Sequence, residues 1–140
     1  MAKPPGITAL FLDVGGVLLS NGWDHLTRQR AARTFDLDAV DLEERHLRIV
    51  DVYEMGQLTL TEYLRSVVFH TPRGFTQARF WKFMAAQSRP FPGMIDLIRR
   101  SKVRHGLKIV VVSNEGRELN DYRIRTFALN GLVDCFITSC

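Results

Sequence analysis

Two polar side chains in this 140-residue chain stand where chemistry is possible: Asp13 and Ser113. Asp13 ends the apolar run Ile7-Thr8-Ala9-Leu10-Phe11-Leu12, and Ser113 ends the run Leu107-Lys108-Ile109-Val110-Val111-Val112. A carboxylate can attack phosphorus, and a hydroxyl can donate to the oxygens of the group being transferred. Gly15 and Gly16 follow the carboxylate, and without side chains they let the backbone turn tightly and present N–H groups to an anion. Together these residues make a cradle for a phosphoryl group. The same Asp also suits a plain helix cap, so spacing alone leaves both readings open.

The elements around them are those of a parallel α/β sheet. Both runs read as short strands buried on two faces, and Val133–Thr138 is a third, weaker one. Helical periodicity over Met94–His105, with Met94, Leu97, Ile98 and Ser101 on one face, ends at Gly106. A second helical stretch, Leu119–Asn130, groups Ile124, Phe127 and Ala128 and ends at Gly131. Strand and helix alternate as in a Rossmann-like fold, where ligands bind beyond the carboxyl ends of the strands. Asp13 and Ser113 then share one crevice if their strands are neighbours.

Residues 20–90 have a different texture, with helical pattern over about Asp24–Phe35, Asp41–Gly56, Thr61–Phe69 and Thr76–Gln87. Asp41 with Glu44 and Thr59 with Glu62 have capping-box spacing. This predicts an all-helical cap inserted at 20–90 into a discontinuous core of 1–19 and 91–140. The acidic cluster Asp36, Asp38, Asp41, Glu43 and Glu44 lacks the glycine and final glutamate of a calcium loop. Phe80, Trp81 and Phe83 suit a cap core, and His25, His46, His70 and His105 show no ligand spacing.

Composition narrows the class. Apolar residues make up 46% and charged residues 24%, a globular balance. The net charge of +4 is too small for a nucleic-acid arm, so no nucleic-acid partner is expected. Arg99, Arg100, Lys102, Arg104 and Lys108 are most simply a solvated face. The two cysteines, Cys135 and Cys140, form no metal-binding or disulfide pattern, which suits a reducing cytoplasm, and Cys135 reads as a small buried hydrophobe. Lys3 and the following apolar run imitate a secretory signal, but Asp13 interrupts it and no cleavage site follows. No membrane partner is expected.

Phe11-Leu12-Asp13-Val14-Gly15-Gly16-Val17-Leu18-Leu19 resembles the first motif of the haloacid dehalogenase (HAD) superfamily, and Val110-Val111-Val112-Ser113-Asn114 resembles its second. Phe91-Pro92-Gly93-Met94 is similar to the lead-in to the second motif. Tyr53-Glu54-Met55-Gly56-Gln57-Leu58-Thr59 is similar to a stretch of the helical cap in the type-1 branch. The resemblance implies a HAD-like hydrolase, in first place a Mg²⁺-dependent cytoplasmic phosphatase acting on a small phosphorylated metabolite. Asp13 then forms an aspartyl-phosphate, Asp13 and the Gly15 carbonyl hold Mg²⁺, and Ser113 binds the phosphoryl oxygens. Asn114 and Gly16 fall beside the phosphoryl group. Trp23 and Asp24, with Asn21 at the cap entrance, become substrate-binding candidates, as do Glu115 and Arg117.

Two departures qualify that expectation. The family's phosphatases usually carry an acid–base Asp where this chain has Gly15, a group worth about 10²–10⁴ in rate. The chain also ends before the family's charge-screening Lys and its later acidic metal ligands, for which Asp134 and Lys108 are at the wrong strand ends. Without the family's fourth strand, Leu10-Phe11-Leu12 becomes an exposed apolar edge. The expectation is that these 140 residues belong to a longer chain or that something else completes the sheet. Two rival functions follow: metal-free displacement of halide from a 2-haloacid, and a non-catalytic binding or assembly module.

Overall fold

Three strands and six helices make up the computed structural model, which describes residues 6–140; Lys3 lies outside them. The strands are β1 (Ala9–Leu12), β2 (Lys108–Ser113) and β3 (Cys135–Thr138), and they form one parallel sheet in the order β1-β2-β3. Leu12 pairs with Val111, and Ser113 with Thr138, so the residues just after β1 and at the end of β2 share one edge. That register places Asp13 and Ser113 at the same, carboxyl, end of the sheet.

Both crossovers, β1 to β2 and β2 to β3, step the same way across the sheet. Right-handed connections then put their helices on one face. The core agrees: Ile109 and Val111, with Leu10, Leu12 and Phe136, pack under Ile95, Ile98, Leu129 and Leu132. The opposite face holds Phe11 (62% exposed), Val112, Cys135 and Ile137, all exposed. The expected two-faced burial of the strands is therefore wrong, and so is a buried Cys135. β1 is also an edge strand of this sheet.

The helix bounds shift for local reasons. The helix leading into β2 is α5 (Pro92–His105), stopped by Gly106 in the left-handed region (φ 63°). Its buried residue is Ile98, while Met94 and Leu97 remain partly exposed, because only the sheet side of α5 is covered. After β2 comes α6 (Arg117–Thr126), shorter than expected. Ala128 turns left-handed (φ 50°), and a 3-10 turn, Leu129–Gly131, carries the chain on instead.

Four helices lie between: α1 (His25–Phe35), α2 (Ala39–Glu54), α3 (Leu60–Val67) and α4 (Gln77–Ala86). They enclose a second apolar core around Tyr63, Leu64, Phe80 and Met84, against which Trp81 and Phe83 pack. Thr59 and Glu62 form the expected capping box. Asp41 does not cap; Asp38 does, accepting from Val40 N and Asp41 N, because α2 begins a turn earlier. The chain passes between the two cores beside Leu19–Ser20 and Arg89–Pro90, where Ser20 N donates to the Arg89 carbonyl at 2.7 Å. Among the described residues, no helix is long and apolar enough to cross a membrane.

Candidate active site

The segment after β1 is a tight loop folded onto itself. Leu18 N and Leu19 N both donate to the Val14 carbonyl, and Gly16 N donates to the Leu19 carbonyl at 2.7 Å. Gly16 takes a positive φ (74°), which explains a glycine there. Its N–H is thereby consumed, so Gly16 does not present an amide to a phosphoryl group, contrary to the sequence expectation. Asp13 is exposed, and its Oδ1 accepts from Val14 N at 2.6 Å.

Ser113 is buried at the end of β2, with the exposed Asn114 next to it. Asp13 and the Gly15 carbonyl are hard oxygen donors two residues apart. That pair suits Mg²⁺, an ion that keeps several waters and borrows phosphate oxygens. No group of three or more His, Cys, Asp or Glu that could hold a metal ion occurs among the described residues.

Beside this loop, a cleft of about 170 Å³ opens between the sheet end and the helical cap. Asn114, Glu115 and Gly116 line it from the core, and Trp23, Asp24, His46, Tyr53 and Glu54 from the cap side. Gly116 is required here: a Cβ would overlap the Tyr53 ring, so only glycine lets α2 approach the start of α6. Leu60 N donates to Glu118 Oε1 (2.8 Å) and Ser139 Oγ to the Glu54 carbonyl (2.7 Å), which fasten the same seam.

Trp23 and Asp24, expected at the substrate, face the cleft but are also committed to the fold. Asp24 caps α1, accepting from Thr27 N at 2.8 Å. Burial disfavours its charged form, but hydrogen bonds from Thr27 and Asn21 outweigh this and hold its carboxyl below the usual range. Trp23 Nε1 donates to the Tyr63 hydroxyl (2.7 Å), which lies 2.7 Å from His46 Nδ1.

An indole N–H can only donate, so the Tyr63 hydroxyl accepts from Trp23 and has its own proton for His46. That proton suits a neutral His46 with a bare Nδ1. Burial first, and the Arg28 charge second, lower it from 6.5 to about 4. Protonation is thus easier in the unfolded chain, and the protein loses stability as pH falls from 6.5 towards 4. Thermal melts across that range check this: the Tm of wild type drops faster than that of His46→Gln.

Glu115 is the residue whose place the sequence disclosed least. Its side chain is only 14% exposed, and Oε1 accepts from Nη1 of Arg123, itself 1% exposed. Arg123 Nη2 donates to the Ser20 carbonyl, tying α6 to the cap entrance. A Cβ on Gly15 would sit 3.0 Å from Asn21 Oδ1, 3.7 Å from Glu115 Oε1 and 3.8 Å from Arg123 Nη1. Burial raises the Glu115 carboxyl, Arg123 pulls against that, and the negative charges of Glu54 and Asp13 add to the rise. Asp134, by contrast, sits at the far end of the sheet with Lys102 (2.9 Å) and Lys108 (4.0 Å).

No protein-family model matches the sequence, and no curated protein matches it. Solved structures do. A HAD-family enzyme from Bacteroides thetaiotaomicron, in a magnesium complex, superposes with a TM-score of 0.74 at 18% identity, over 96% of this chain and 69% of that one. A predicted HAD-like hydrolase from Porphyromonas gingivalis gives 0.67 at 15% identity, over 96% and 67%. An L-2-haloacid dehalogenase gives 0.59 at 16% identity, over 96% and 64%. Over nearly its whole length, this chain has the fold of the HAD-family enzymes.

Proposed function

We propose that the protein is a Mg²⁺-dependent phosphatase of HAD type, with Asp13 as nucleophile and Ser113 as a donor to the phosphoryl oxygens. The observation that carries this reading is the register of β1 and β2, which brings an exposed carboxylate and a serine to one end of the sheet beside a cleft. The Bacteroides enzyme, which shares the fold, was also solved with magnesium and inorganic phosphate together. Bound at Asp13 and the Gly15 carbonyl, Mg²⁺ would offset the charge of the phosphoryl group as the carboxylate approaches it.

The cleft suggests what the phosphate is attached to. Three carboxyl groups (Asp24, Glu54 and Glu115) line it, and among the described residues no Lys or Arg does. The Tyr53 hydroxyl is buried without a partner among the described residues. An apolar or further anionic group is a poor match; a small, donor-rich group such as a polyol or an amine fits. Asn114, Trp23 and Asp24 would meet that group at the mouth of the cleft.

Phosphate release from a panel of small monoesters, with Mg²⁺ or with EDTA, tests the reading. The expected result is Mg²⁺-dependent turnover, faster for polyol and amino-alcohol esters than for dicarboxylate esters. Halide release from 2-haloacids that ignores EDTA would instead establish dehalogenase chemistry at Asp13. No turnover of either class would leave a binding or assembly module.

A further inference from the structure

Phosphoryl transfer to a carboxylate expels an alkoxide, and release of the phosphate then requires an activated water. Both events call for a second group that can hold a proton near the first. Two carboxyls in one site with opposite environments are the usual way to divide nucleophile from acid–base roles. Here Asp13 is exposed and partnered only by its own loop, whereas Glu115 is recessed at the inner wall of the adjoining cleft.

We propose that Glu115 is the proton-transfer group of this site. The proposal rests on the reading of Asp13 as nucleophile. In the first step an Asp13 carboxylate oxygen forms a bond to phosphorus, the bond to the leaving oxygen breaks, and the Glu115 proton passes to that oxygen. In the second step water attacks phosphorus, the bond to Asp13 breaks, and the water's proton returns to Glu115. The sum is hydrolysis of the ester to alcohol and phosphate, with both carboxyls restored.

The geometry supports this assignment in three ways. Gly15 has no side chain, and the space where its Cβ would stand is 3.7 Å from Glu115 Oε1 and 3.0 Å from Asn21 Oδ1, so that carboxyl lies close to the loop bearing Asp13. Arg123 grips Oε1 alone, leaving Oε2 without a protein partner among the described residues. The guanidinium is itself fixed by the Ser20 carbonyl, so the carboxyl is held in place rather than swinging in solvent. The charged groups facing Glu115 are Arg123 on α6, Glu54 at the end of α2 and Asp13 after β1.

The competing explanation is that Glu115 only neutralises Arg123. Two substrates separate them, assayed with Mg²⁺ on the full-length protein. 4-Nitrophenyl phosphate has a leaving group that departs without a proton, and glycerol 2-phosphate has one that needs it. Glu115→Gln keeps an acceptor for Arg123 but carries no transferable proton. It is expected to lower the glycerol phosphate rate about 10²-fold or more. The initial burst of nitrophenolate should survive, with acid-stable, hydroxylamine-sensitive phosphate accumulating on the protein. Equal loss on both esters without a burst, or no change on either, overturns the proposal.

Should Glu115→Gln fail to fold, the leaving-group dependence of wild type decides: shallow supports the proposal, steep overturns it. Asp13→Asn is the separate control. Retained turnover in that variant would remove the nucleophile assignment itself, whatever Glu115 does.

Discussion

Asp13→Asn is expected to abolish phosphate release, by about 10³-fold or more, while leaving the protein folded. A carboxamide is not a competent nucleophile towards phosphorus, and 10³ in rate corresponds to about 4 kcal/mol of barrier. The structural cost should be small. Asp13 is exposed and accepts only from Val14 N, and an asparagine carbonyl can take over that bond. Exposed substitutions of this kind stay within about 0.5 kcal/mol. Kinetics and a thermal melt on the same preparation therefore separate the two effects. A variant that melts like wild type and yet turns over normally would end the nucleophile assignment.

Arg123→Met is expected to have the largest effect on stability, a loss of about 3 kcal/mol. Arg123 is the largest fully buried side chain, and its guanidinium joins Glu115 on one side to the Ser20 carbonyl on the other. Removing it leaves the recessed Glu115 carboxyl and an acceptor at the cap entrance without their donor. For a chain of this length the Tm should fall by roughly 10 °C. Urea unfolding of Arg123→Met, Glu115→Gln and the double variant checks the cause. The double variant should lose less than the sum of the singles, because the stranded carboxyl is then absent. Additive losses would mean that packing of the Arg123 stem, not its charge, holds α6.

Much of this fold is legible in the sequence. The three strands could be found because each is a short β-rich run closed by polar or glycine residues, and four cap helices followed from periodicity and punctuation. Thr59 with Glu62 capped as their spacing required, whereas Asp41 with Glu44 did not, since Asp38 three residues earlier could cap as well and the helix took the longer option. The α6 boundary failed for a related reason: Gly131 was a good stop, but a left-handed Ala128 ended the helix first.

The sequence by itself determined the alternation of strands and helices, the helical insertion, and the placing of Asp13 and Ser113 at strand ends. These depend on periodicity and local chemistry, which neighbouring residues carry. Only the tertiary structure decided which sheet face is covered. That depends on both crossovers running the same way, and it left Phe11, Cys135 and Ile137 exposed despite their apolar context. It also decided that Gly16's amide is spent on Leu19, that Trp23 and Asp24 serve the cap as well as the cleft, and that Glu115 stands beside Gly15. Positions 15 and 115 are 100 residues apart. No local pattern links them, and they meet because parallel pairing of β1 with β2 brings the loops after both strands to one edge.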